Sequence, residues 1–206
     1  MTQPSKALGA LIIAVLACLG VGLTIALQHG AAPYINAEQA DAQEQAFLSV
    51  LPTASYDNHP LQQPLTLPER TPDTQAVTAG YLVSLRGQPS AVLFRSQAPG
   101  YSGTIELLIA VAANGQLIGV KVLKQNETPG LGDKIVTEPN WLAGFLGKSL
   151  NNPAEPGWGL KKDNGQFDQI AGATITSRAT VEAIHATLRF FDAHRAQLLI
   201  PAGPSQ

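Results

Sequence analysis

Residues 104–123 read TIELLIAVAANGQLIGVKVL, and this stretch decides the fold. Aliphatic side chains recur at every second position on both sides of Asn114-Gly115. This period of two predicts β-strands, because successive side chains of a strand point to opposite faces of the sheet. Asn-Gly accepts the two positive φ angles of a tight hairpin turn. The stretch therefore predicts strands at 104–112 and 116–123, paired in a twisted antiparallel sheet with one well-covered face.

The segments on either side of this hairpin extend the same pattern. Residues 81–85 and 91–95 alternate in the same way and predict a second strand pair, joined by the turn at residues 86–88. On the C-terminal side, residues 140–146 predict a short helix and residues 160–162 a further short strand.

The last long segment has the period of an amphipathic helix. Residues 177–199 place apolar side chains at steps of three and four, which predicts a helix packed on the sheet. The fold class is therefore α+β, with a domain over residues 81–200 and a tail at 201–206. The apolar positions are Val181, Ile184, Leu188, Phe191 and Leu198.

The N-terminal segment has the composition of a membrane span. Residues 7–28 contain no charged side chain, and as a helix they would cover about 33 Å, enough for the hydrocarbon core. Lys6 precedes the segment, so residues 1–6 are expected in the cytoplasm and the remainder outside. A cleaved signal peptide is the alternative, since Gly30-Ala31-Ala32 offers small residues for a peptidase. Both interpretations place the main domain in the same compartment.

Residues 29–80 connect the predicted span to the predicted domain. Asn36 can cap a helix over residues 37–51, which ends before Pro52. Residues 56–78 contain four prolines and little periodicity, which predicts an extended loop lying over the domain.

Composition excludes several kinds of chemistry. The formal net charge of −2 gives no indication of a nucleic-acid partner. The single cysteine, Cys18, lies in the apolar N-terminal segment, so neither an internal disulfide nor a cysteine-ligated iron–sulfur cluster is possible. The four histidines lack the spacing of a metal site. Redox chemistry would therefore need a bound organic cofactor.

The segment just before the last helix reads DQIAGATITS at residues 168–177. It predicts a glycine-containing turn that leads into a helix start, where Ser177 or Thr176 can cap the free N–H groups. Helix N-termini favour anions, phosphate in particular, and Gly172 with Ala173 keeps bulky side chains away. A hydroxyl at Thr174 would point into this pocket. Ordinary helix capping is the alternative interpretation of the same residues.

The DQIAGATIT segment resembles the flavinylation motif of the FMN-binding domain family. Two further segments support the resemblance: ETPGLGDKI at 127–135, directly after the predicted hairpin, and WGLKKD at 158–163. With the N-terminal anchor and the length, the whole chain resembles the G subunits of Rnf-type (also called Rsx) electron transport complexes. Ala171 departs from the motif, which usually has Ser or Thr at that position.

The resemblance implies a covalently bound flavin mononucleotide (FMN). In the family, a flavin transferase joins the FMN phosphate as a phosphoester to the last threonine of the motif, here Thr174. The loop at 127–132 is implied to lie against the flavin, with Leu131 over a ring face. Trp141 and Trp158 either stack on the ring or pack in the core. The implied cofactor-binding residues are Thr174, Gly172, Ala173, Thr176, Ser177, Asp168, Glu127, Thr128, Gly130, Leu131, Gly132 and Lys162.

Two of these residues have specific expected roles. Lys162 could place positive charge near the phosphate or the reduced flavin, and Asp168 could position the attachment loop. Each is equally compatible with an ordinary role, Lys162 as a solvated surface side chain and Asp168 as a turn residue.

The resemblance implies an electron-carrier subunit of a ferredoxin- and NAD-linked, ion-translocating complex. The expected partners are the other subunits of that complex, a flavin transferase and the lipid bilayer. The expected location is the bacterial inner membrane, with the main domain in the periplasm. Two alternatives are a C subunit of a sodium-pumping NADH:quinone oxidoreductase, which shares the domain, and an anchored scaffold without cofactor. The chain carries no nicotinamide fingerprint, so we do not expect an independent enzyme.

Overall fold

A computed structural model of the chain divides it into two compact units, Met1–Ala46 and Phe47–Gln206. The predicted span at 7–28, except Leu16 and Ala17, and most of the predicted helix at 37–51 lie outside the described residues. Within the described part of the chain, no helix is long and apolar enough to cross a membrane. The structure describes residues 16–17, 47–52 and 55–200, without the side chain of residue 73.

The centre of the second unit is one antiparallel sheet of four strands in the order β1-β2-β3-β4. Both predicted hairpins are confirmed, and each strand pairs with the next along the chain. The first pair is longer than predicted because the alternation continues beyond residues 81 and 95. The strands are β1 (Val77–Leu85), β2 (Gln88–Pro99), β3 (Thr104–Ala112) and β4 (Leu117–Lys124).

The two hairpin turns differ from each other. Arg86 and Gly87 both have positive φ angles, 53° and 73°, and form the tight turn between β1 and β2. The predicted pair of positive angles at Asn114-Gly115 is wrong, since only Gly115 has one (91°). Asn114 instead accepts a hydrogen bond from the Gln116 N–H at 3.0 Å through Oδ1, which fixes a longer loop.

The sheet is covered on both faces, so the prediction of one covered face is wrong. One face packs against the long C-terminal helix. The other carries Leu93 and Leu108, both fully buried, which contact Leu48 and Leu51. A Cβ atom at Gly119 would lie 2.0 Å from the Val50 carbonyl oxygen, so this glycine lets residues 47–51 lie directly on β4. The second face is covered because its alternating positions are apolar as well.

Between residues 55 and 200 the α-helices are α1 (Lys134–Thr137), α2 (Pro139–Ala143) and α3 (Thr174–Leu198). The helix predicted at 140–146 is shorter than expected because the chain turns at Gly144 and reaches a positive φ of 75° at Gly147. The strand predicted at 160–162 is wrong: Lys161–Asp163 forms a 3-10 helix, and Leu160 makes only an isolated bridge to Phe167. Further 3-10 helices lie at Pro60–Gln62, Pro72–Thr74 and Glu155–Gly157.

Helix α3 begins at Thr174, before the predicted start at Ser177, and its predicted apolar stripe is confirmed. Every member of the stripe is at most 1% exposed. Phe94 of β2 meets Phe190 and Phe191 edge to face, with ring centroids 6.0 and 6.3 Å apart. The main core therefore lies between α3 and the sheet, and it holds the N-terminus of α3 in place.

Candidate functional site

A cavity of about 500 Å³ lies at the N-terminus of α3. It brings together the two segments that carry the family resemblance, although they are far apart in the sequence. Loop 127–132 forms one wall and residues 172–176 form another. The lining residues are Tyr101, Glu127, Thr128, Leu131, Gly132, Gly172, Ala173, Thr174, Ile175 and Thr176.

A glycine-containing turn at residues 170–173 directly precedes α3. The Ala173 N–H donates to the Ile170 carbonyl at 3.0 Å, and Gly172 between them has a φ of 77°. A positive φ at the third position is typical of a type II turn. A Cβ atom at Gly172 would also lie 2.7 Å from Leu131 Cδ2. The backbone angle therefore favours glycine here, and a larger residue would also displace the Leu131 side chain.

The first turn of α3 has no side-chain cap. The N-cap residue is Ala173, which has no acceptor to offer. The Ser177 N–H reaches the Ala173 carbonyl at 2.9 Å, but the N–H groups before it have no acceptor within the helix. These amides and the helix dipole make the cavity wall at Thr174–Thr176 favourable for an anion.

The predicted capping by Ser177 or Thr176 is wrong. The Ser177 hydroxyl is fully buried, accepts from the Ile170 N–H at 3.0 Å and donates to the Ala173 carbonyl at 2.9 Å. It fastens the preceding turn to the helix. The Thr176 hydroxyl donates to the Glu127 carboxylate. Neither hydroxyl therefore caps the first-turn N–H groups, which leaves the helix N-terminus open.

Thr174 is the first residue of α3 and lines the cavity. Its side chain is half-buried, and its hydroxyl donates to Gln169 Oε1 at 3.1 Å. Among the hydroxyls of the α3 first turn, it is the one that remains accessible from the cavity.

Glu127 is the carboxylate of the cavity wall and is only 5% exposed. It accepts from the Tyr101 N–H at 3.1 Å, from the Ser102 N–H at 3.0 Å and from the Thr176 hydroxyl. The carboxylate therefore joins the loop between β2 and β3, the loop after β4 and the first turn of α3.

Several predicted site residues lie elsewhere. Asp168 is exposed and forms an ion pair with Lys161 at 2.7 Å, while its carbonyl accepts from the Trp141 indole N–H. Lys162 is exposed and does not line the cavity. Gly130 is exposed, with a φ of 76° that the loop needs for its turn. Ala171 is exposed in the turn before α3.

The two tryptophans belong to an aromatic cluster outside the cavity lining. Trp158 stacks on His185 with ring centroids 5.2 Å apart and an interplanar angle of 5°. Trp141 meets Phe145 edge to face at 5.2 Å. Burial and a nearby Arg189 guanidinium lower the pKa of His185, while Glu155 opposes the shift. No group of three metal-ligating side chains occurs within the described residues.

Sequence reasoning missed Tyr101 and Ile175 as cavity residues. Tyr101 is 69% exposed in a tight turn between β2 and β3, and Ile175 is 47% exposed on the first turn of α3. Large exposed apolar side chains indicate a binding surface, and this exposure is visible only in the structure. In the sequence, Tyr101 is one residue of a glycine-flanked turn, and nothing local connects it to loop 127–132.

Comparisons with known proteins show which family the chain resembles. Residues 100–189 match the model of the FMN-binding domain family. The chain is 46% identical over 203 residues to the G subunit of the ion-translocating oxidoreductase complex of Pseudomonas aeruginosa strain UCBPP-PA14, covering 97% of this chain and 95% of that protein. It is 42% identical over 199 residues to the protein of the same name from Vibrio cholerae serotype O1 strain ATCC 39541, covering 91% of each. A solved structure, NqrC of Shewanella oneidensis, has 25% identity and a TM-score of 0.47, covering 71% of this chain and 72% of that one.

Proposed function

The chain belongs to the family of G subunits of ion-translocating oxidoreductase complexes, and we propose that it acts there as an FMN-carrying electron-relay subunit. The observation that carries the proposal is the cavity, in which both motif segments of the family meet at an uncapped helix N-terminus. FMN supplies reversible uptake of electrons, and the protein supplies position and surroundings.

The cavity fits FMN in size and in chemistry. Its volume of about 500 Å³ lies within the range of cofactor sites. The uncapped amides of Thr174–Thr176 suit a phosphate, and Gly172 keeps the backbone close to that position. Leu131, Tyr101 and Ile175 provide exposed apolar surface for a flat ring. The helix N-terminus would hold the phosphate, and the apolar side chains would contact the ring.

The proposed linkage is a phosphoester between Thr174 Oγ and the FMN phosphate. Thr174 is half-buried, and as the first residue of α3 it lies in the same turn as the open amides. A phosphoester would fix the cofactor at its phosphate end without altering the ring. It would also prevent loss of the flavin outside the cytoplasm.

The proposed setting follows from the family and the sequence. The partners are the other subunits of an Rnf-type complex, a flavin transferase during maturation, and the bilayer through residues 7–28. The domain would lie in the periplasm of a bacterial inner membrane.

Mass spectrometry of the peptide around Thr174 tests the proposal. The full-length chain is produced together with a flavin transferase, and its denatured band is examined for flavin fluorescence. We expect a fluorescent band in the wild-type chain, and a peptide mass increased by the mass of FMN less one water. Thr174→Ala should lose both, whereas Thr180→Ala, on the same helix but buried, should keep both.

The same measurement separates the alternatives. An unmodified peptide from cells that contain the transferase would contradict the relay and favour a scaffold without cofactor. A C subunit of a sodium-pumping NADH:quinone oxidoreductase would also carry the flavin. Purification of the native complex and identification of its subunits would distinguish that assignment from the G-subunit assignment.

A further inference from the structure

Given the proposed function, in which the cavity holds FMN, we infer that the Glu127 carboxylate lowers the reduction potential of that flavin. Glu127 is the one side chain with a charge at neutral pH among the described residues that line the cavity. Electrons arriving on the flavin would meet this negative charge. Reduction would therefore be less favourable than in a neutral cavity.

The carboxylate is held rigidly by its hydrogen bonds. Three donors from two segments point at its oxygens: the N–H groups of Tyr101 and Ser102 in the β2–β3 loop, and the hydroxyl of Thr176 in α3. An ionised carboxylate can only accept, and these bonds match that state. No salt bridge joins Glu127 to a cation among the described residues. Its charge is thus supported by dipoles rather than cancelled by an opposite charge.

The backbone at two glycines passes close to the Glu127 side chain. A Cβ atom at Gly100 would lie 2.4 Å from Glu127 Oε1, and one at Gly132 would lie 2.7 Å from Glu127 Cβ. The backbone at both glycines therefore lies close to this side chain. Because the carboxylate is only 5% exposed and is bound by three donors, its charge is weakly screened.

A positioning role alone is the competing explanation. Glu127 could simply hold the β2–β3 turn against α3, with no effect on the flavin. The two explanations differ in the measured potential, because a charge effect follows the charge placed in this wall, including one placed at a neighbouring residue, whereas a purely structural role of Glu127 does not.

The test is a spectroelectrochemical titration of the full-length chain, matured with a flavin transferase. Glu127→Gln keeps the shape and removes the charge, while its NH2 group replaces one of the two accepting oxygens, and we expect its midpoint potential to rise. The expected size is about tenfold in the redox equilibrium constant, or about 59 mV for one electron. Glu127→Asp keeps the charge and should remain closer to the wild type. Glu182→Gln removes an exposed charge farther along α3 and should leave the potential unchanged.

The outcomes separate the inference from the function on which it rests. A chain that carries no flavin on Thr174 would contradict the proposed function. A flavinylated Glu127→Gln chain with the wild-type potential would overturn the inference alone, as would a shift in Glu127→Asp equal to that in Glu127→Gln.

A second pair of variants keeps the inference testable if Glu127→Gln does not fold. Thr128 lines the same wall and is exposed, so it should tolerate Glu and Gln. We expect Thr128→Glu to have a lower midpoint potential than Thr128→Gln. Equal potentials would mean that charge in this wall does not act on the flavin, and the inference would fail.

Discussion

The first turn of α3 and its middle turns both contain threonines, but the hydroxyl groups have different partners in the two regions. In the middle, the Thr180 hydroxyl donates to the Thr176 carbonyl and the Thr187 hydroxyl lies 2.8 Å from the Ser96 hydroxyl, all fully buried. In the first turn, Thr174 stays accessible and Thr176 reaches across to Glu127. Residue type alone therefore does not identify a site. The burial and the partner of each hydroxyl do.

The largest expected effect is the loss of covalent flavin at the first turn. Thr174→Val removes the proposed attacking oxygen and should abolish the linkage, whereas Thr174→Ser keeps a hydroxyl and should retain it. Since Thr174 is not part of the core, unfolding free energy should change by less than about 0.5 kcal/mol. Gel fluorescence and peptide mass measure the linkage, and Thr180→Val is the control in the middle turns. Flavin retained by Thr174→Val would mean that the accessible hydroxyl of the first turn is not the attachment site.

The middle turns should give the largest change in stability. Phe191 is 1% exposed and meets Phe94 edge to face, so Phe191→Ala should lower the free energy of unfolding by about 3 to 5 kcal/mol. Circular dichroism during urea unfolding of the detergent-solubilised chain measures this loss. Asp192→Ala changes the exposed neighbour and should have almost no effect. Equal losses in both variants would mean that the face of α3 is assigned incorrectly.

The two regions also differed in how well the sequence predicted them. The hairpin of β3 and β4 and the apolar stripe of α3 were predicted because each follows from a local period. The start of α3 was predicted too late because Thr176 and Ser177 are good capping residues. In the fold, the Thr176 hydroxyl bonds to the distant Glu127 and the Ser177 hydroxyl bonds to Ile170 in the preceding turn instead.

The candidate site could be predicted only where a motif marked it. Thr174 and Glu127 were found through the family resemblance, but the contact between Thr176 and Glu127 depends on the packing of distant segments. Tyr101 carries no local signal for the same reason. The covered second face of the sheet was missed because its apolar residues, Leu108 and Ala110, were interpreted as the outward side of the alternation.

The link between Thr176 and Glu127 should have an intermediate effect on stability. Thr176→Val leaves a buried carboxylate oxygen without one of its donors and should destabilise the fold by about 1.5 to 3 kcal/mol. Thr180→Val is the matched control, because that hydroxyl bonds only to a helix carbonyl. Its substitution should cost less than about 1 kcal/mol. Urea unfolding midpoints measure both, and similar losses would contradict a special role for the first-turn hydroxyl.

The smallest expected effect is a pH dependence of the folding stability that arises from His185 in the middle turns of α3. His185 is 8% exposed and stacks on Trp158, and burial together with Arg189 lowers its pKa from the reference value of 6.5. In the unfolded chain His185 binds its proton more readily, so folding is opposed by protonation. The stability linked to neutral His185 should be fully present above pH 6.5. It should be lost as the pH falls from there toward the lower pKa of the folded state.

The comparison variant for this effect is His185→Phe, which keeps a ring against Trp158 but cannot take up a proton. Unfolding free energies of the wild type and the variant are measured between about pH 5 and pH 8. The wild type should lose stability relative to the variant as the pH falls below 6.5. His185 does not line the cavity that contains Thr174 and Glu127, so flavin attachment should be the same in both chains. A constant difference in stability across this pH range would mean that His185 does not titrate as its burial predicts.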